Sequence, residues 1–168
     1  MKGPQIPQLC RKFSYLTLFC DCDADQATLR ARVASIRESM TADPLTISES
    51  RVAELVSILK TPSASVQLQS ETLWVIGLAA VRGSTACERL LRADVLRPLM
   101  SVLSDEASVA DVITPACYSV HMLIGNGLPA VLDTLLQAGV QPLVERAVAR
   151  QLAGVHGPAA LQALKRWQ

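Results

Sequence analysis

The chain has little charge, no long apolar run and none of the common catalytic signatures. Charged residues make up 18% of its 168 residues, below the roughly 25% of an ordinary soluble domain. We therefore expect part of its surface to be covered by something other than water. The net charge of +1 and the lack of a basic run argue against a nucleic-acid platform. No apolar stretch approaches the roughly 18 residues that span a bilayer.

The sequence also lacks the motifs of common enzyme classes: it has no G-x-S-x-G, no phosphate-binding glycine loop and no H-E-x-x-H. His121 lies in an apolar helical stretch, which favours an interior or groove histidine, and His156 lies in a Gly-rich turn, which predicts a solvated loop residue. Cys117 and His121 have the spacing of a nucleophile and its base, but no third residue that would orient the base is evident. We predict that the protein is not an enzyme and needs no cofactor.

Five cysteines are present, an odd number without secretory context, and this favours reduced thiols in an intracellular compartment. Cys20 and Cys22 are the one cluster of cysteines with the spacing of candidate metal ligands. Because zinc wants four ligands, no metal site is predicted, and a thiol- or metal-dependent site at this pair is kept as a minor alternative. Cys87 and Cys117 lie on helical faces, where a free cysteine acts as a small apolar residue.

Residues 1–23 do not share the pattern of the rest of the chain. Their first 20 residues contain Lys2, Arg11 and Lys12 but no acid, a composition that resembles a mitochondrial presequence. We predict an extension that docks on the chain's own groove or on a neighbour, with residues 13–19 as the candidate segment. The cytoplasm is the favoured compartment and the mitochondrion is the alternative.

The stretch from Leu68 to Leu103 contains a helix, a break at Gly83, a short helix, a corner and another helix. Residues 73–80 are apolar on every side and predict a helix that is buried all round. A shift of 44 residues places LVSIL (55–59) on LMSVL (99–103) and then on LVERA (143–147). The same shift relates residues 72–80 to 116–124 and 160–168. This period lies in the range of armadillo and HEAT units.

The segments LQSETLWVIGLAA (68–80) and LLRADVLRPLMSVL (90–103) resemble an armadillo repeat of the importin-alpha and catenin kind. The resemblance covers roughly Ala24 to the C-terminus. It implies an all-α fold, a short right-handed armadillo-like solenoid of about two to three repeats, with residues 1–23 as an N-terminal extension and residues 24–168 as the repeat domain. Asp25 would open the first, capping helix.

In importin-alpha-like repeats, the third helix carries a Trp and, four residues later, an Asn that bind the main chain of basic import signals. Trp74 matches the Trp, but Leu78 stands at the Asn position, and the next repeat has Tyr118 and Met122 there. The resemblance therefore does not imply import-signal binding.

Residues at the same phase of the period would line the concave face of such a solenoid. One row reads Arg30, Trp74, Tyr118 and Gln162, and the second reads Ala34, Leu78, Met122 and Arg166. Aromatic and Met side chains suit an amphipathic helix or an extended apolar segment. The predicted partner-binding residues are Arg30, Trp74, Leu78, Tyr118 and Met122, with packing between repeats as the alternative for Leu78 and Met122.

These patterns predict a non-catalytic interaction or structural subunit of a larger multiprotein assembly, with a free-standing peptide-binding adaptor as the alternative. Its partners would be other proteins, either complex subunits or an extended or helical peptide segment. No nucleic acid and no membrane span are expected. Gly77, inside a predicted helix, further predicts the close approach of a neighbouring helix backbone.

Overall fold

A computed structural model describes the backbone of residues 10–42, 47–62 and 64–167, and the side chains of residues 25–41, 47–62 and 64–167. Within these ranges the regular structure is entirely α-helical, with no strand, so the predicted all-α class is confirmed. The helices are α1 (Cys10–Ala42), α2 (Glu49–Leu59), α3 (Val66–Ala80), α4 (Ser84–Arg92), α5 (Leu96–Ser104), α6 (Ala110–Asn126), α7 (Pro129–Gln137), α8 (Val140–Ala149) and α9 (His156–Lys165).

Helices of the described ranges begin at a regular spacing along the chain. α3, α6 and α9 begin at residues 66, 110 and 156, so successive starts differ by 44 and 46 residues. α4 and α7 begin at residues 84 and 129, and α5 and α8 begin at residues 96 and 140. These starts follow the 44-residue shift of the sequence to within about two residues, whereas α2 begins at residue 49, which is 47 residues before α5.

Residues with strong turn preferences set several of the helix limits, including the break predicted at Gly83. The Ser48 hydroxyl accepts a hydrogen bond from the backbone N–H of Arg51 and caps α2. Gly83 precedes α4 with a φ of 107°, a conformation that an L side chain rarely adopts. α6 ends at Asn126, and Pro129 occupies the first turn of α7. The Asp-Pro pair at residues 43–44 predicts a further break, because the residue before a proline avoids the helical conformation, but it lies outside the described residues.

α3 is the central helix of the described core. It packs against α1 on one side and α6 on the other, and α6 in turn packs against α9. Leu68, Leu73 and Ile76 of α3 are fully buried, as are Ile113 and Leu123 of α6. Each such side chain contributes about 1.5–3 kcal/mol through removal from water, so the α3–α6 interface is a main source of stability.

The prediction that residues 73–80 are buried on every side is wrong along one stripe. Trp74 and Leu78, four residues apart on the same face of α3, are each 38% exposed. α1 and α6 cover the flanks of α3, α2 and α4 also pack against it, and this stripe between α1 and α6 is left open. An all-apolar helix can therefore present two large side chains to solvent.

The predicted boundary between residues 23 and 24 falls inside α1, which is a single helix from Cys10 to Ala42. The side chains of residues 10–24, including those of Cys20 and Cys22, lie outside the described part of the structure. None of the helices in the described ranges has the length and apolar character needed to cross a membrane.

Candidate partner-binding groove

A groove of about 630 Å³ runs between α1 and α3, with the side chain of Tyr118 from α6 at its edge. We call it the Trp74 groove. Its α1 wall is formed by Arg30, Ala31, Val33, Ala34 and Arg37. Its α3 wall is formed by Glu71, Trp74, Val75 and Leu78. The volume falls in the range of about 300–1,000 Å³ typical of ligand sites.

The Trp74 and Tyr118 rings are in direct contact, with centroids 4.7 Å apart and ring planes inclined by 42°. This distance lies within the range preferred by aromatic pairs. Trp74 and Tyr118 are successive members of one predicted row, and such positions on stacked helices stand about 8–10 Å apart. Because the rings touch, no segment can pass between them, and a bound segment would have to lie across the pair.

Gly77 provides the space in which the Tyr118 ring packs. A Cβ atom at Gly77 would overlap the ring of Tyr118 and would lie 3.4 Å from the Cα atom of Ser119. The predicted close approach of a neighbouring helix backbone is thus confirmed, and the nearest group is the aromatic ring. One turn before Gly77, Trp74 completes a surface of α3 that is shaped to receive the ring.

A hydrogen bond between helices fixes α6 relative to α3 beside this stack. The hydroxyl of Ser119 donates to the backbone carbonyl of Leu73 at 2.7 Å, and Ser119 is fully buried. A buried hydrogen bond of this kind contributes about 0.5–1.5 kcal/mol. It joins the residues that immediately follow Tyr118 and precede Trp74, so it holds the two rings in register.

His156 and His121 extend the aromatic cluster to α9. The His156 ring lies 4.8 Å from Tyr118 and 6.2 Å from Trp74, edge-on to both, and its Nδ1 lies 3.5 Å from Nδ1 of His121. The expectation of a solvated loop position for His156 is wrong, because His156 begins α9. Burial and, to a smaller extent, the nearby His156 lower the pKa of His121.

Sequence reasoning missed His156 because it does not share the phase of Trp74 and Tyr118; Gln162 does. The glycines on either side of His156 predicted a turn there, whereas His156 is the first residue of α9. Pro158 was the available signal, since proline is favoured in the first turn of a helix. A start placed before Pro158 would have brought His156 onto the helix that follows α6 in space.

Two arginines lie on the α1 wall, seven residues apart. Nη2 of Arg30 donates to the Ser65 hydroxyl at 3.4 Å, whereas its buried Nε has no hydrogen-bond partner in the described part of the chain. Arg37 is exposed, and within the described residues it makes no hydrogen bond or ion pair. The one carboxylate in the groove lining, Glu71, accepts a hydrogen bond from the Gln67 amide at 3.0 Å.

Trp74 separates this groove from a second depression of about 640 Å³ between α3 and α6. Asp111, Thr114 and Pro115 of α6 line the second depression. Pro115 lies inside α6 and has no N–H to offer the carbonyl of Asp111 four residues earlier. The surface on either side of Trp74 therefore differs: cationic and apolar toward α1, and rich in acceptors toward α6.

The described cysteines are not activated. Burial raises the pKa of Cys87 to about 11 and that of Cys117 to about 12. A thiol with such a pKa is protonated at neutral pH and is a poor nucleophile. Among the described side chains, no group of three or more His, Cys, Asp or Glu residues is placed to hold a metal.

The structure brings four of the five predicted partner-binding residues together: Arg30, Trp74, Leu78 and Tyr118 all line the Trp74 groove. Met122 does not line it and packs half-buried against the core. Gln162 and Arg166, from the ends of the two predicted rows, line a separate depression on α9. Comparison with protein-family models gave no match, and comparison with curated proteins gave none either.

Proposed function

We propose that the chain is a short armadillo-like solenoid that serves as a non-catalytic interaction subunit of a larger multiprotein assembly. Its partner chain would bind across the Trp74 groove. The 44-residue repetition of the sequence, the matching spacing of the helix starts and the contacts of α3 with α6 and of α6 with α9 support the solenoid. The raised pKa values of Cys87 and Cys117 support a role without thiol catalysis.

The exposed side chain of Trp74 is the main observation that supports partner binding at this groove. An indole that is 38% exposed beside an equally exposed Leu78 leaves apolar area in water, and burial of that area by a partner would be favourable. Trp is also the side chain most enriched among residues that dominate interface energetics. Trp74 and Leu78 lie next to an open groove, so a partner chain could cover both without any change in the core.

A pair of tryptophan variants tests the proposal. The full chain would be expressed with a tag in its native source, and the size of its assembly compared between wild type, Trp74→Ala and Trp167→Ala. Trp167 is the matched control, because it is 61% exposed but does not line the Trp74 groove. We expect Trp74→Ala to shift the chain out of the large assembly while helical content is unchanged, and Trp167→Ala to remain in it. Retention of the assembly by Trp74→Ala would overturn the proposal.

The second candidate function is a free-standing peptide-binding adaptor. The groove favours it because α1, α3 and α6 of one chain form its complete lining. The same experiment distinguishes the two functions. A wild-type chain that migrates as a monomer in native extract, and gains only the mass of a short peptide ligand, would identify an adaptor instead of an assembly subunit.

A further inference from the structure

The charge pattern of the Trp74 groove indicates what kind of segment it binds. Its α1 wall carries two guanidinium groups, and its α3 wall carries an exposed apolar stripe. We propose that the groove takes an amphipathic helix of a partner chain, with two carboxylates seven residues apart facing Arg30 and Arg37 and apolar side chains facing Trp74 and Leu78. This inference rests on the proposed function and adds the chemistry of the partner.

The spacing of the two arginines matches the geometry of a helix. Seven residues are almost two turns, so Arg30 and Arg37 lie on the same face of α1, about 10 Å apart along its axis. A second helix that packs along α1 has the same rise per residue, and its residues i and i+7 are also about 10 Å apart. Carboxylates at these two positions would each reach one guanidinium.

Both cations have capacity for a further acceptor. Arg37 makes no hydrogen bond or ion pair with the described residues, and Arg30 makes a single one there, from Nη2 to the Ser65 hydroxyl. An arginine has five N–H donors arranged to match a carboxylate. Glu71 is the single acid in the lining and is engaged by Gln67. The groove therefore has a net positive charge, which selects an acidic partner.

The apolar stripe on α3 is complementary to the apolar face of an amphipathic helix. Trp74 and Leu78 are four residues apart on α3, so their side chains lie one above the other. An amphipathic helix with apolar side chains at positions i+1 and i+5, which lie four residues apart between its two acids, would place them along this stripe. Peptide helices that bind in grooves use this spacing of anchors.

The occupant is a partner chain and not residues 13–19 of the same chain. Those residues belong to α1 itself, and the last of them precedes Arg30 by 11 residues, or about 16 Å of helix. A continuous helix cannot fold back over its own wall. A small carboxylate ligand is disfavoured because the surface continues past Trp74 into the second depression, which suits a long segment.

A selection experiment on the full chain tests the inference. A phage library would display 18-residue helical peptides with one face randomised, and binders would be recovered on the immobilised full-length protein. We expect binders enriched in Asp or Glu at two positions seven residues apart, with Leu, Phe or Met between them. The affinity of one such synthetic peptide would then be measured by fluorescence anisotropy.

Charge reversal identifies the contact. Arg37→Glu should lower the affinity of the protein for the acidic peptide by about tenfold, because it replaces an attraction by a repulsion. Changing the acidic residue of the peptide that faces position 37 to Lys should restore most of the lost affinity. Arg51→Glu is the matched control, since Arg51 is exposed on α2 outside the groove and its reversal changes the net charge equally. We expect it to leave the affinity unchanged.

The inference is overturned if binders show no acidic enrichment, if Arg37→Glu and Arg51→Glu have equal effects, or if selection yields no binder. It is also overturned if a second copy of this chain, or a small aromatic carboxylate, occupies the groove at micromolar concentration. In each of these cases the proposed function still stands wherever Trp74→Ala dissociates the native assembly. Failure of the occupant and failure of the function are therefore separate results.

Discussion

Gly77 shows how the absence of a single Cβ atom shapes the surface of this protein. The Tyr118 ring packs where that atom would be, and this places it against Trp74. A mid-helix glycine costs about 1 kcal/mol relative to alanine. The aromatic contact that it allows, worth about 0.5–1.5 kcal/mol beyond the area buried, is of comparable size and offsets that cost.

Gly77→Ala should therefore be mildly destabilising in the wild-type chain, by about 0–1 kcal/mol, because the Tyr118 ring must move while helix propensity improves. In a Tyr118→Ala background the same change should stabilise the fold by up to about 1 kcal/mol. Urea denaturation of the four variants measures both values. Gly77→Leu should cost about 3 kcal/mol or more, since a larger side chain also meets the backbone of α6. An identical effect of Gly77→Ala in both backgrounds would exclude the ring as the obstacle.

His121 makes the stability of the fold depend on pH. Its pKa is lowered from the ordinary value of 6.5 by burial and by His156. Below pH 6.5 the unfolded chain therefore binds a proton that the folded chain still excludes, and the free energy of unfolding falls as the pH falls. His121→Gln should flatten this dependence below pH 6.5, as followed by thermal melts. His156→Gln should reduce it by a smaller amount, and equal slopes for wild type and His121→Gln would contradict the assignment.

Side-chain hydrogen bonds join helices of this protein to backbone carbonyls that lie 42 to 46 residues earlier in the chain. Ser119 reaches Leu73, 46 residues earlier, and Nη2 of Arg82 donates to the carbonyl of Met40, 42 residues earlier. Arg150 donates to the carbonyls of Glu106 and Ser108 in the connection between α5 and α6. Hydrogen bonds that involve a charged donor are worth about 1.5–3 kcal/mol.

Ser119→Ala tests the contribution of these links at the interface of α3 and α6. We expect a loss of about 1 kcal/mol in the free energy of unfolding, because a buried hydrogen bond is removed. Ser104→Ala is the matched control: its hydroxyl is exposed and donates to Ser101 within its own helix, so its effect should stay within about 0.5 kcal/mol. Equal effects of the two substitutions would show that Ser119 does not link the helices.

The 44-residue shift predicted the spacing of several helix starts, because apolar spacing and turn residues such as Gly83 and Pro129 are local signals. It did not predict the start of α1 at Cys10 or that of α9 at His156. It also predicted that Arg30, Trp74 and Tyr118 lie near one another. It could not predict that the two rings touch, because this depends on side-chain rotamers and on the space at Gly77. The hydrogen bonds of Arg82 and Arg150 could not be predicted either, because they also depend on side-chain conformation. A long flexible side chain has no periodic signature, so these arginines were indistinguishable from solvated ones.

The molecule as a whole exposes apolar side chains away from the Trp74 groove. Val155 is 80% exposed just before α9, and Leu128 is 47% exposed just before α7. Such groups favour association with another chain. We expect the isolated protein to self-associate at micromolar concentration in sedimentation equilibrium. The double variant Val155→Ser and Leu128→Ser should weaken this association, and a stable wild-type monomer would contradict it.

The side-chain hydrogen bonds join residues that are close together in the sequence, and this affects how the chain unfolds. Among the described residues, no side-chain hydrogen bond joins positions more than 46 apart, although the chain has 168 residues. Short loops close quickly, so folding should be fast. The helices should also lose protection in order and not all at once. In hydrogen exchange, amides of α9 should open at lower free energy than those of α3, which is covered from both flanks. A chain of this kind could release its last helix to a binding partner while the Trp74 groove stays folded.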